Sequence, residues 1–409
     1  MKSAPLVLAL LLTACGQPVA ERPVANACSQ SPSRASTDGA ALAAASQSFG
    51  LRLTRLLADD TRDNVFVSPL SAQMALAMAA SGARGTTQRA MLDAIGLSGL
   101  GPDRAAHEAG ALLDRLTSSG CATVEIANGL WARRRLRLDP SYVQTVQSTF
   151  KGAAHPLDAG STGMINDWVS HATHGKIPSI VEAIPPDVVI MLINALYFHG
   201  DWEGPFDPAQ TRPAPFHRAG AGEVTVPLMV RSGEFAYGEG PGYQAVALPY
   251  SGDTVRMVVI LPSAPLATAD FAPYLEHTRF AQVVGTLQPR LSGELWLPRF
   301  GLDFKASLLQ SLDALGMGPA LQDGADFSGI APTCGRSCVI SDVTQMSRLE
   351  VDEKGTAAAA ATRVFIQISG RVGAPFKMVV DRPFLTAIQD IVTGTLLFVG
   401  VVGDPTTGR

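Results

Sequence analysis

The chain has 409 residues, 46% of them hydrophobic and 17% charged, which excludes an intrinsically disordered polypeptide and supplies enough apolar material for a large core. Its formal net charge of -4 and pI near 6.0 leave no overall electrostatic footprint for nucleic acid, which is not expected as a partner.

In chain order, the first signal is Lys2 followed by APLVLALLL and then small residues ending at a cysteine, the pattern of a secretory signal peptide over residues 1–15. The junction LTAC resembles a bacterial lipobox, in which Cys15 is lipidated and becomes the new N-terminus; the alternative is an ordinary signal peptide with an incidental cysteine. No later stretch reaches ~18 uninterrupted apolar residues, so membrane contact is expected through N-terminal lipid only. Residues 16–38, rich in Pro, Ser and Ala, read as a flexible stalk ahead of one folded domain over 39–409. Export with a lipid anchor would place that domain in the bacterial cell envelope, and Gly16 after Cys15 favours the outer membrane or cell surface; without the lipid the protein is secreted. Four cysteines remain, an even number that suits an exported protein. Cys334 and Cys338, in CGRSC, are close enough to pair locally, which leaves Cys28 with Cys121. The seven histidines are scattered, with His171 and His174 the only close pair, so neither a metal site nor a cofactor is expected.

Apolar residues at helical spacing predict helices over residues 40–57 and 71–94, the second interrupted by a loop at 82–87, and another over 165–173 ended by Gly175. VVIMLINALYFHG, residues 188–200, is a continuous apolar run of the kind a strand buried on both faces has. Strands then dominate: GYQAVALPY, TVRMVVILP, GELWLPRF, KMVVDRPFLTAI and GTLLFVGVV are bounded by Gly, Pro and Asp turns. Helices first and strands later imply an α+β architecture with large, largely antiparallel sheets.

One segment joins two opposed preferences. In VDEKGTAAAAATRVFIQISGRVGAPF, five alanines lead into a β-branched run, so residues 357–361 alone read as helix or linker. Yet Thr356, Ala358, Ala360, Thr362, Val364, Ile366 and Ile368 form one period-two face of small or apolar groups, while Arg363 and Gln367 fall on the other with Phe365. A strand could bury the first face and expose the second.

Enzyme motifs are scarce. There is no G-x-S-x-G, no G-x-x-x-x-G-K-[ST], no H-E-x-x-H and no G-x-G-x-x-G opening a helix. One S-x-x-K occurs, Ser148 to Lys151, without the K-T-G and S-x-N elements that an acyl-serine enzyme also needs; labelling by a β-lactam would reveal such an activity. The balance favours a binding or inhibitory protein over an enzyme.

Several segments together resemble the serpin family from about residue 45 to 405: NVFVSPLSAQMALAMAASGARGTTQRAM, INDWVSHATHGKI, LINALYFHGDWEGPF, VPLM, DFSGI, VDEKGTAAAAA and DRPFLTAIQDIVTGTLLFVGVVGDPT, in matching order. The resemblance implies helices packed around three β-sheets and an exposed reactive-centre loop. It further implies that a target serine protease would attack the loop, form an acyl-enzyme, and be trapped as the cut loop inserts as a new strand of the main sheet, as in that family. The implied hinge is Glu353, Gly355, Thr356 and the alanines Ala357, Ala358, Ala359, Ala360 and Ala361, whose small side chains let a strand slip between two others. The implied sheet-opening residues are Ser68, Pro69, Ser71 and Asn194, with Trp202 at the top of the sheet; Gln345 stands where many serpins have His, which removes a source of pH dependence but keeps an amide that donates and accepts. The family register places the reactive bond at Ser369-Gly370, with Ile368 or Arg371 as alternatives because the distal side of the loop is long. Arg favours a trypsin-like target, Ile or Ser an elastase- or subtilisin-like one, and a cysteine protease remains a further target class. A monomer is expected. The alternative function is a non-inhibitory serpin acting as a binding or chaperone-like module.

Overall fold

A computed structural model of the chain describes residues 39–59, 63–117, 122–158, 160–335, 338–356 and 375–407. Cys15, Cys28, Cys121, alanines 357–361, Ile368, Ser369, Gly370 and Arg371 lie outside the described residues, as does the 16–38 segment.

The helices are α1 (Ala40–Asp59), α2 (Pro69–Ser81), α3 (Gly85–Ala94), α4 (Pro102–Thr117), α5 (Pro140–Ser148), α6 (Ser161–Ala172) and α7 (His277–Gly285), with shorter turns between later strands. The expected loop at 82–87 is shorter than the sequence suggests, because Gly85 already opens α3. α2 is small or apolar on nearly every side and is correspondingly buried almost all round. Pro69 sits in its first turn, where a missing N–H is harmless, and the Ser68 hydroxyl accepts from Ser71 N at 3.2 Å to cap it.

Strands β2 (Thr123–Arg133), β3 (Ala153–Leu157), β4 (Ile190–Asp201), β10 (Phe300–Ser307), β11 (Ile340–Val351) and β12 (Gly355–Thr356) make one sheet in the order β10-β11-β12-β4-β2-β3. β11 and β4 also pair directly, in parallel, from Ile340↔Ile190 to Ser347↔Leu196. The other strands are β1 (Asn64–Val67), β5 (Arg212–Arg218), β6 (Gly222–Gly240), β7 (Tyr243–Pro249), β8 (Val255–Pro262), β9 (Gln288–Pro298), β13 (Phe376–Val379), β14 (Phe384–Asp390) and β15 (Leu396–Val402). They form a nine-stranded sheet in the order β1-β15-β14-β8-β7-β6-β9-β13, with β5 on β6, which is 19 residues long. β6 pairs with β5 over Gly222–Leu228, with β9 over Leu228–Tyr237 and with β7 over Ala236–Gly240, so it joins the β5 and β9 end of the sheet to the β7 end. With the six-stranded sheet and the helices packed around them, this gives the expected mixed architecture of multiple sheets. KMVVDRPFLTAI splits into β13 and β14 around Pro383, and GELWLPRF crosses from β9 into β10.

β4 separates two cores. Ile190, Leu192, Leu196 and Phe198 face the main core, whereas Met191, Ile193 and Ala195 face a smaller one beneath α6, with Trp131, Ile165, Val169 and Ile177. The period-two alternation of a strand explains why one apolar run serves both.

Candidate functional site

A buried polar row crosses the six-stranded sheet at mid-height. Gln345 on β11 is the register partner of Asn194 on β4, and Asn194 that of Asn128 on β2. Gln345 Nε2 donates to Asn194 Oδ1 (3.1 Å) and to Ser68 O (2.9 Å), and its Oε1 accepts from Ser68 N (3.0 Å). Asn194 Nδ2 donates to Ser71 O (2.8 Å) and Asn128 Oδ1 (2.6 Å). Three strands are thereby tied to the first turn of α2, and Ser68, Ser71, Asn128, Asn194 and Gln345 are all buried. Ser68, Ser71, Asn194 and Gln345 thus share one hydrogen-bonded row, with Pro69 next to Ser68 in the first turn of α2. Asn128 belongs to the same row and was not singled out from the sequence; a lone Asn inside the apolar strand IANGLW was its only signal.

The second cluster lies at the top of β4 and β11. Beyond Ser347↔Leu196 the two strands no longer pair directly, and Gly355 and Thr356 sit between them as β12. Thr356 pairs antiparallel with Gly200 on one side and Val351 on the other. A glycine is needed at 355, because a Cβ there would collide with the Gly200 carbonyl. The Thr356 hydroxyl is 2.8 Å from the Tyr250 hydroxyl, and Tyr250 stacks on Trp202 with ring centroids 4.5 Å apart. Trp202 in turn donates from its indole to Asp352 O (3.0 Å) and from its backbone to Lys354 O (2.8 Å). Asp352 closes the turn by accepting from Lys354 N and Gly355 N at 2.8 and 3.1 Å.

Glu353 is buried within this turn, bonded to the Arg299 guanidinium and, at 2.6 Å, to the Thr211 hydroxyl. Burial alone would raise its pKa, but those two partners outweigh it and hold the carboxyl below the usual glutamate value. Burial pushes the Tyr250 hydroxyl far up, so it stays protonated as a hydrogen-bonding group. Tyr250, Arg299 and Thr211 are distant in sequence and carry no local motif, so only the fold reveals them.

Cys334 and Cys338 form a disulfide with Cα atoms 5.0 Å apart, at the end of the DFSGI segment. Ser148 and Lys151 make no acyl-serine geometry: Lys151 Nζ reaches the Ser148 carbonyl (3.2 Å) and Asp114 (3.8 Å). His174 is exposed and paired with Glu125 at 2.7 Å. Among the described residues no group of His, Cys, Asp and Glu is arranged to hold a metal, and no helix is long and apolar enough to cross a membrane.

The sequence pattern of the family described as Serpin (serine protease inhibitor) matches residues 44–405. Iripin-2 of Ixodes ricinus is 34% identical over 378 residues, covering 89% of this chain and 93% of that protein. Human neuroserpin is 29% identical over 368 residues, covering 86% and 89%. Among solved structures, the thermophilic serpin tengpin in its native state superposes with a TM-score of 0.79 at 26% identity, covering 88% of this chain and 93% of that one. Family pattern, relatives and architecture agree over the same residues, and the chain belongs to the serpin family.

Proposed function

We propose that this serpin is a suicide-substrate inhibitor of a serine protease, exported and tethered through lipidated Cys15, with a cysteine protease as a further target class. One observation carries the reading: Gly355 and Thr356 are already seated between β4 and β11 as the first residues of an additional antiparallel strand. The register of Thr356 against Gly200 and Val351 gives a simple rule for continuing it. Ala357 would fall opposite His199 and Glu350, and Ile366 opposite Ile190 and Ser341. Residues Thr356, Ala358, Ala360, Thr362, Val364 and Ile366 would then face the main core, as Thr356 does, and Arg363 would face the α6 side. This is the apolar face the sequence alternation selects.

Energetics favour the same picture only if burial contributes. About a dozen new ladder hydrogen bonds at roughly 0.5–1.5 kcal/mol each supply on the order of 10 kcal/mol. Ordering the same residues costs about 1–2 kcal/mol each. Hydrogen bonding therefore roughly cancels, and burial of the even face, with relief of strain in the uncut molecule, decides the direction. Cleavage at Ser369-Gly370, or next to Ile368 or Arg371, leaves enough chain to fill the slot.

The test mixes the purified protein separately with trypsin, pancreatic elastase and subtilisin. A denaturant-stable complex with one of them, with the cut mapped by mass spectrometry to 368, 369 or 371, is the expected result. Cleavage without a complex, and with no gain in thermal stability, would leave a non-inhibitory binding module as the function. Membrane fractionation of the expressing cells tests the Cys15 anchor, and a wholly soluble product would remove it.

A further inference from the structure

The tail of α6 crosses the sheet at the point where β4 and β11 part. α6 ends at Ala172, and the next turn places His174 and then Gly175 in left-handed backbone conformations, φ +51 and +76. A non-glycine residue adopts that region at a cost, and here the turn sends the His174 and Lys176 side chains, on the same face of the sheet, to opposite sides of the β4–β11 seam. His174 Nε2 lies 2.7 Å from Glu125 Oε2 on β2, and its ring stands edge-on to Tyr197 on β4 at 4.9 Å. Lys176 Nζ lies 2.8 Å from Glu350 Oε2 on β11, and the Lys176 carbonyl accepts from Arg348 Nη1 at 3.3 Å. Arg348 also binds Glu350 at 2.8 Å and approaches Asp303 on β10 at 3.6 Å.

The register shows what lies between these anchors. Glu125 is paired with Tyr197, and Arg348 with Asp303, so each anchor belongs to a firmly hydrogen-bonded pair of strands. The last direct rung joining the two pairs is Ser347↔Leu196. Just above it is a slot of about 20 Å³ lined by Lys176, Ile177, Leu196, Phe198 and Glu350, and above that sits the hinge at Gly200 and Asp201.

We propose that His174 and Lys176 act as positioning residues for the inhibitory reaction, a two-sided clasp that holds β2–β4 against β11–β10 ahead of the seated hinge and sets the rate of strand insertion. The proposal rests on the insertion reading above. Admitting one strand moves β11 away from β4 by about 4.8 Å. His174 and Lys176 are two residues apart in one turn seated by Ile165, Val169 and Ile177, so they cannot follow both sides. At least one of the two contacts, His174–Glu125 or Lys176–Glu350, must break before the alanines enter. The clasp therefore raises the barrier of the uncut form and has no counterpart in the inserted one.

The experiment compares wild type with Lys176→Met, His174→Phe, which keeps the ring against Tyr197, and Lys176→Arg. Readouts are the rate of covalent-complex formation at saturating protease and the melting temperatures of uncut and loop-cleaved protein. Lys176→Met and His174→Phe are expected to speed insertion roughly two- to five-fold, the scale of one exposed ion pair. They should lower the melting temperature of the uncut form alone, and Lys176→Arg should restore wild-type behaviour. In 1 M salt, where the screening length is about 3 Å, wild type should approach the variants. Unchanged rates, or equal losses in both forms, would overturn the clasp while a wild-type complex still upheld insertion. Absence of any wild-type complex would overturn the insertion reading and the clasp with it.

Discussion

Replacing Gln345 by Ala should separate the stability of the uncut molecule from that of the cut one. The side chain makes three hydrogen bonds: from its amide nitrogen to Asn194 Oδ1 and Ser68 O, and from Ser68 N to its oxygen. Ser68 O also accepts from Ala72 N, so the truncation leaves Ser68 N and Asn194 Oδ1 as the newly orphaned buried groups. Each such group costs about 1–3 kcal/mol, so roughly 2–6 kcal/mol is lost in the uncut form, besides the cavity. Unfolding entropy of about 2.1 cal/mol/K per residue over ~370 folded residues gives roughly 0.8 kcal/mol/K, and a 3 kcal/mol loss lowers the melting point by about 4 °C. In the proposed inserted form a strand would stand between β11 and β4, so the Gln345–Asn194 bond would be absent there already, and the loss should be smaller. Calorimetry of uncut and loop-cleaved protein, wild type and variant, tests this directly. An equal drop in both forms would refute the idea that the row is specific to the closed sheet, and no drop in either would mean that the bonds contribute nothing net.

Two further expectations concern the top of the sheet. Because the Glu353 carboxyl is held below its ordinary value, its contribution is complete above the unfolded-state pKa near 4.3 and is lost as pH falls through the lower folded-state value. The melting-temperature advantage of wild type over Glu353→Gln should thus be level from pH 7 to about 5 and shrink in more acid solution; an advantage that grows on acidification would refute the assignment. Thr356→Arg would force a charge against Tyr250 at a site that is 1% exposed, a change costing several kcal/mol in the inserted strand. The variant should be cut by the target protease with little complex on a denaturing gel, and undiminished complex formation would remove Thr356 from the insertion pathway.

What could be read from the sequence follows from how local each signal is. β4 was visible because both its faces are buried, which makes its sequence continuously apolar. α1 was visible because one face is apolar at helical spacing. β6 was not, since Pro227, Gly233 and Gly238 interrupt it and only its partners on both sides keep it extended. Ser68, Ser71, Asn194 and Gln345 could be named from the resemblance, but their bonding could not: Gln345 meets Ser68 across 277 positions. Asn128 was missed because a single amide in an apolar strand has no pattern of its own. Net charge likewise conceals the run RRRLR at residues 133–137, where Arg133 donates to the carbonyls of Val188 and Pro185 and Arg134 pairs with Asp158. Those two arginines are fastenings of the β2 end, and their partners lie in loops that no sequence period marks.

If the loop inserts as proposed, the seating of Gly355 and Thr356 also changes what kind of kinetic event that insertion is. A strand that starts from nothing must first fix several backbone torsions for its first hydrogen bonds, and that nucleus is the slow part of any zipper. Here the nucleus exists in the resting molecule, with two register pairs to β4, one to β11 and a hydroxyl contact to Tyr250. What would remain is elongation, in which each β4 position from His199 down to Ile190 is filled by the next residue of the same chain as the β4–β11 rungs up to Leu196 open. Such a process has its direction and its register fixed before the protease arrives, so a misaligned strand would require the resting molecule first to melt the two residues it already holds.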